Sequence, residues 1–260
     1  DLAENRVFIV NIQTGIIQWQ WEAQQYYPLD SGGDFGEDWT HINDVEIVNH
    51  DTIMVSVRNH DEVIFINRGS GVNENLTLGD DNNHTILKEQ HNPDYIQTNQ
   101  TQRSVLVADS ENNRIIEYFL DDEQWRKDWV YNRNLEWPRD ADRLPNGNTL
   151  ITNSRGDRVI EINRDGDVIW NFSINRPYEA ERLGTGAESR GGNTANLLNL
   201  ETDKTDSGTT KKFSLNRFLF SLIPDPVIGA IKFISPQWVR FRELVAIGTI
   251  FISIFALLTI

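Results

Sequence analysis

Cysteine is absent from the 260-residue chain. That excludes thiol catalysis, a zinc ribbon and a disulfide framework, and it leaves the compartment open. Basic residues are scarce as well: 24 Lys plus Arg stand against 39 Asp plus Glu, a formal charge of −15. A chain so short of cations has no general means of releasing counterions from a phosphate backbone, so nucleic acid is not an expected partner. No Gly-rich phosphate loop and no nucleophile elbow occur. The run Asp80-Asp-Asn-Asn83 lacks the glycine and closing glutamate of an EF-hand loop and carries no expected metal role. What is present is 38% hydrophobic and 10% aromatic residues, enough to bury a core in one large all-β domain or two smaller ones.

The charge is unevenly placed. Residues 1–210 hold 18 basic against 37 acidic side chains, or −19, whereas residues 211–260 hold 6 against 2, or +4. The acidic part, rich in Asp and Asn with few lysines, suits a salt-rich medium in which hydrated carboxylates keep a surface soluble. The basic part ends in Leu244–Ile260, seventeen residues without a charge. As a helix at about 1.5 Å per residue this reaches close to the thickness of a hydrocarbon core, so residues 244–260 are expected to be a transmembrane helix. Residues 211–243, broken by Pro224, Pro226 and Pro236, suit a basic amphipathic, interfacial segment. Residues 184–210 read as a linker. Arg240 and Arg242 favour a cytoplasmic side before the span, whereas the sequons at Asn75, Asn83, Asn99 and Asn171 have meaning only on an exported domain. The working expectation is a membrane-anchored chain with its acidic part outside the cytoplasm. The chain begins at Asp1, already close to a strand, and reads as missing an N-terminal portion.

Repeats organise residues 1–183. Val55–Ile66, Val107–Tyr118 and Ile151–Ile162 share one pattern, and aligning Val63, Ile115 and Val159 gives periods of 52 and 44 residues, close to a propeller blade. Leu144-Pro-Asn-Gly-Asn-Thr-Leu150 and Asp165-Gly166 mark hairpin turns between short alternating strands. Asp44/Glu46, Asp140/Asp142 and Glu179/Glu181 recur nineteen residues before the aligned strands or open a further unit. The expectation is therefore an all-β, partial β-propeller with about four visible blades and further blades missing upstream, spanning residues 1–183. The acidic pairs, being two apart, face one side of a strand. Because they recur with the repeat, they are expected to tie blades together through backbone amides rather than to bind a channel cation, although hard oxygen ligands would suit Ca²⁺ or Mg²⁺.

Strand starts of the innermost strands converge on the channel of a propeller. Those positions here are His41, His91, Trp137 and Arg176; His50, His60 and His84 read as solvent-facing turn residues. A lone histidine at a strand start is more often a satisfied hydrogen-bonding residue than a catalyst. Trp39-Thr-His-Ile-Asn43 followed by Arg58, and Gln90-His91 followed by Val107–Arg114, resemble the arylsulfate sulfotransferase family over about residues 6–183. That resemblance implies a six-bladed propeller that moves a sulfuryl group from an aryl sulfate to a phenol, without a nucleotide donor or any cofactor. It implies His91 as the transiently sulfated nucleophile, and His41, Asn43 and Arg58 as holders of the sulfate oxygens. Trp39, Trp137 and Arg139 are the candidate substrate contacts, the tryptophans for stacking on an aryl ring. The family's further channel histidine and a later threonine have no counterpart in this sequence. The alternative of a different class is a non-catalytic, membrane-tethered propeller that binds a carbohydrate or protein ligand.

Overall fold

A computed structural model describes residues 3–186 and 188–203. The segments expected at the membrane, 211–243 and 244–260, lie outside the described residues; among those described, no helix is long and apolar enough to cross a membrane.

Fifteen strands form four separate antiparallel sheets among the described residues. The first is the hairpin β1 (Arg6–Val10) and β2 (Ile17–Glu22). The second runs β3 (Ile42–Ile47), β4 (Thr52–Val57), β5 (Glu62–Asn67) and β6 (Gly71–Val72), with β7 (Leu78–Gly79) also on β5. The third runs β8 (His91–Gln97), β9 (Arg103–Asp109), β10 (Arg114–Asp121) and β11 (Gln124–Tyr131). The fourth runs β12 (Pro138–Arg143), β13 (Thr149–Asn153), β14 (Arg158–Ile162) and β15 (Val168–Ser173). The leading strands stand side by side, β3 against β8 and β8 against β12, so the sheets radiate from them as blades.

Middle strands of a blade are covered on both faces, and their sequences show it. In β4 the apolar residues run together as Ile53-Met54-Val55, and the pleat sends them alternately to two different cores. Ile53 and Val55 pack with Val7, Trp21 and Ile64 between the first and second blades. Met54 packs with Phe65, Val105, Val107 and Ile116 between the second and third. Leu106 and Ala108, alternating with Val105 and Val107, pack with Ile115, Ile151 and Ile160 between the third and fourth. By contrast every residue of β15 is exposed, including Val168, Trp170 and Phe172.

The recurring Asn or Asp of each blade turn has a specific task. Asn5, Asp61, Asn113 and Asp157 all sit in the left-handed region, at φ of 51 to 54°, where Asn and Asp are the best tolerated residues after glycine. From there each carboxamide or carboxylate oxygen accepts a backbone N–H at the head of the next blade: Thr40 at 3.3 Å, Glu89 at 2.7 Å, Trp137 at 2.8 Å and Arg176 at 3.2 Å. One short polar side chain in an inner turn of each blade thus fastens the head of the next.

Residues 188–203, placed in a linker by sequence, are instead held against the third and fourth blades. Ser189 Oγ accepts from Arg143 N, the Ala195 N–H donates to Glu117 Oε1, and Asp203 N–H donates to Val130 O. Ala195 enters the core with Leu200 packed beside it. The segment is mostly polar, so its composition resembled a linker; its few anchoring contacts carry no periodic pattern. The buried Arg143–Glu117 pair, 3.0 Å apart and fully inaccessible, lies beneath it.

Candidate functional site

The backbone clasp corrects the register read from sequence. His41, Glu89, Trp137 and Arg176 are the equivalent residues, all at φ of 45 to 53° at the head of a leading strand. His91 therefore does not share a position with His41. It lies two residues further on, at the place occupied by Asn43, Arg139 and Tyr178 in the other blades. The misalignment has a local cause: Asp94 pairs with Leu106 as Glu46 pairs with Met54 and Asp142 with Leu150, so Asp94 matches the second acid of each pair, and Asn92 stands where the first acid would be. Counting three residues back from Asp94, as from Asp44 and Asp140, therefore stops two residues short of the strand head Glu89.

His91 is completely buried. Its Nδ1 lies 2.8 Å from Ser110 Oγ, whose single hydrogen is directed at Pro138 O, 2.6 Å away. Ser110 therefore accepts, and Nδ1 carries the imidazole hydrogen. The opposite nitrogen gives the same answer: Arg139 Nη1 contacts Nε2, and a guanidinium only donates, so Nε2 bears the lone pair. Burial, then the charges of Arg139 and Arg58, push the His91 pKa down to about 2, which keeps the ring neutral.

Around it stands a cationic and aromatic wall. Trp137 is stacked between the guanidinium groups of Arg139, 3.9 Å from the ring centroid, and Arg155, 4.1 Å. Its edge meets the His91 ring at 5.9 Å, and its indole N–H is buried without a partner. Tyr178 lies under Arg139 at 4.7 Å and presents its edge to His91 at 6.2 Å. Arg58 pairs with Glu89 through Nη2 and donates to Asn59 Oδ1 through Nη1 at 2.9 Å. His41 holds Asp38 through Nδ1 at 2.6 Å. Its pKa is lowered, first by burial and then by Arg58 and Arg139, with Asp38 opposing them.

The structure thus gathers His91, Arg139, Trp137, Arg58 and His41 from the sequence-derived set. Asn43 is adjacent but partly committed: one amide N–H goes to Gln90 O at 2.8 Å. Trp39 is excluded as an aryl platform. It is fully buried between the first two blades, its Nε1 donating to Ser31 O at 2.7 Å and its ring meeting Phe35 and His60 edge-on. His60 is likewise buried rather than solvent-facing, 4.0 Å from the Tyr27 ring centroid. Tyr178, Arg155, Ser110 and Glu89 were not anticipated. Tyr178 had a signal, standing two residues after Arg176 as Arg139 stands two after Trp137.

Further along the leading strands the sign reverses. Burial first, and neighbouring carboxylates second or later, raise Asp44 and Glu46 to about 7, Asp140 to about 8 and Asp142 to about 9, while Asp94 is pushed well up. Two of these acids do tie blades: Glu46 accepts Tyr95 N–H at 2.7 Å and Asp140 accepts Ala180 N–H at 3.1 Å. Asp142 has no such partner. Together with Asp94 and Glu188 it forms the cluster whose donor set could take a metal.

Fold and site together define an all-β chain of propeller-like blades with a basic, aromatic cluster at the heads of its leading strands and buried acids further along them. No family model and no curated protein matches the chain. Among solved structures it is similar to a protein of unknown function from Bacteroides caccae, at 15% identity over 70% of this chain and 59% of that one, TM-score 0.48. It is also similar to virginiamycin B lyase from Staphylococcus aureus in an inactive form with quinupristin, at 14% identity over 67% and 50%, TM-score 0.45. A streptogramin B lyase is similar at 11% identity over 68% and 65%, TM-score 0.39. The chain spans roughly half to two thirds of the length of these proteins.

Proposed function

We propose that the channel mouth transfers a sulfuryl group from an aryl sulfate to a phenolic acceptor, with His91 Nε2 as the nucleophile. One observation carries this reading: a neutral, buried imidazole whose Nε2 lone pair is set by Ser110 on one side and faced by an arginine on the other. An anionic donor would draw Arg139 from Nε2 to its sulfate oxygens, and the freed lone pair would attack sulfur. The sulfur–oxygen bond to the aryl group breaks, its electron pair leaving on the phenolate, and a sulfohistidine results. Arg58, Arg139 and the uncommitted N–H of Asn43 are the donors for the three equatorial oxygens. Trp137 and Tyr178 offer faces for the two aryl rings.

In the second displacement the acceptor oxygen attacks the sulfohistidine sulfur, and the nitrogen–sulfur bond returns its electron pair to Nε2. The acceptor's proton needs a base. His41 suits that role, because Asp38 holds its Nδ1–H and leaves Nε2 as an acceptor, and because its lowered pKa keeps it neutral at pH 7. The reading rests on these side chains and on the resemblance of the His91 and His41 segments, and not on the solved structures named above.

The test is incubation of the full chain with 4-nitrophenyl sulfate and a phenol. Nitrophenolate release in a burst, with a mass gain of about 80 Da at His91, is expected for a covalent sulfuryl intermediate. His91→Asn should abolish both. Turnover that survives in His91→Asn, or no turnover by the intact chain, removes the proposal and leaves a ligand-binding channel.

A further inference from the structure

We propose that Asp94, Asp142 and Glu188 form a calcium site that fastens the segment beginning at residue 188 to the leading strands β8 and β12. One carboxylate oxygen from each residue lies within 4.8 Å of the others. Calcium takes oxygen ligands at about 2.3–2.6 Å, so two ligands across the ion stand up to roughly 5 Å apart, and the cluster meets that span without rearrangement.

The independent sign of a missing ligand is Asp142. The residue is 1% exposed, yet neither of its carboxylate oxygens accepts a hydrogen bond from an N–H or hydroxyl group. Buried carboxylates in folded proteins are paired, hydrogen-bonded or bound to a cation, because an unmatched one loses its hydration with nothing in return. Asp94, also 1% exposed, accepts one hydrogen bond at Oδ2, from Ser189 Oγ. Its other contacts are carboxyl to carboxyl, with Asp142 and Glu188. No Lys or Arg pairs with any of the three among the described residues. The neighbouring Asp140 adds a third buried oxygen without a donor.

The ligand set also explains the path of the chain. Asp94 lies in the middle of β8, Asp142 near the end of β12, and Glu188 next to Ser189, whose hydroxyl bridges Asp94 and Arg143 N. All donors are hard oxygens, which fits an alkaline-earth ion and not a thiophilic metal. The site is separate from the basic mouth and from the sulfuryl-transfer reading.

The experiment is calcium titration of the full chain after EDTA treatment, followed by calorimetry and thermal unfolding, with magnesium chloride in parallel. One ion per chain and a melting temperature about 5 °C or more higher at 100-fold saturation are expected for binding to the folded state alone. Asp142→Asn should abolish the calcium response while leaving the EDTA-treated melting temperature unchanged or higher, since the carboxyl group has no N–H or hydroxyl partner to lose. A carboxylate with a purely structural role would instead lower it. Glu188→Gln, half-buried on the segment, repeats the test should Asp142→Asn fail to fold. No heat and equal melting in EDTA and calcium overturn the site. So does a calcium response retained in either variant, and an equal magnesium response overturns the choice of ion.

Discussion

Ser110→Ala tests the tautomer argument at its weakest point. In the folded chain the hydroxyl accepts His91 Nδ1–H at 2.8 Å and donates to Pro138 O at 2.6 Å, wholly shielded from water. Removing it leaves an imidazole N–H and a carbonyl without partners. An orphaned buried donor costs about 1–3 kcal/mol, and the ring escapes that cost by moving its hydrogen to Nε2 or by turning, both of which remove the lone pair from the channel. A penalty of about 1–2 kcal/mol on the productive form corresponds to a roughly 5- to 30-fold slower sulfation step.

The assay is the single-turnover burst of nitrophenolate from 4-nitrophenyl sulfate, since steady-state rates mix in the second displacement. Donor affinity should change little, because Arg58 and Arg139 are untouched. Ser110→Thr, which keeps the hydroxyl, should recover most of the burst rate. A merely structural serine would show a lower melting temperature with an unchanged burst rate in the folded fraction. That result, or an unchanged His91 tautomer by ¹⁵N shifts in Ser110→Ala, would show that Ser110 does not set the tautomer.

Two further predictions concern stability. His60 is held at a pKa of about 4 by burial against an ordinary 6.5, so the unfolded chain binds the extra proton between those values. Stability is therefore fully present above pH 6.5 and lost as pH falls toward 4, by up to about 3 kcal/mol from this residue; His60→Phe should flatten that part of a melting-temperature profile, and an identical slope in both proteins would remove the assignment. Glu117→Gln leaves the fully buried Arg143 charge unpaired 3.0 Å from its lost partner. Breaking such a pair costs about 3–5 kcal/mol, a fall of roughly 10 °C in a domain of this size, and adding Arg143→Met should restore part of it by calorimetry. A double variant no more stable than the single one would place the loss elsewhere.

The blades were legible because their physics is periodic. Strand alternation, Asn or Asp at the turns and Asp or Glu at strand centres repeat at blade length, and Asp44 and Asp140 indeed occupy matching registers opposite Ser56 and Thr152. What repetition cannot announce is an interruption of itself. Asn92 stands where Asp44 and Asp140 stand in the other blades, so Asp94 reads as the first acid of a pair when it holds the place of Glu46 and Asp142, and only the pairing with β9 reveals it. Burial was misjudged at His60 and Trp39 for a related reason. Both lie in irregular segments, and the residues that cover them, Tyr27 and Ser31 among others, come from an irregular loop with no pattern to read. The segment after residue 188 is anchored by single hydrogen bonds from Ser189, Thr194 and Ala195, each an ordinary small residue by composition.

The corrected register changes what the repeat means for chemistry. Asn43, His91, Arg139 and Tyr178 occupy one position in successive blades: an amide, an imidazole, a guanidinium and a phenol. Each is placed by the same device, a turn Asn or Asp that accepts an N–H at or next to the blade head, so the backbone that presents them is nearly invariant. A repeated scaffold can therefore diversify one side chain per blade at little cost to folding, because the core positions that hold the blades together lie elsewhere on the strands. The formal charge of −15 is a poor guide to such a ring. Screening reduces exposed charges beyond about 8 Å to small effects at physiological ionic strength. Arg139, by contrast, touches His91 directly, and Arg58 acts on it in the same buried space. The local sign around His91 is set by those near, poorly solvated cations, so an acidic protein can carry a positive cluster at the heads of its leading strands.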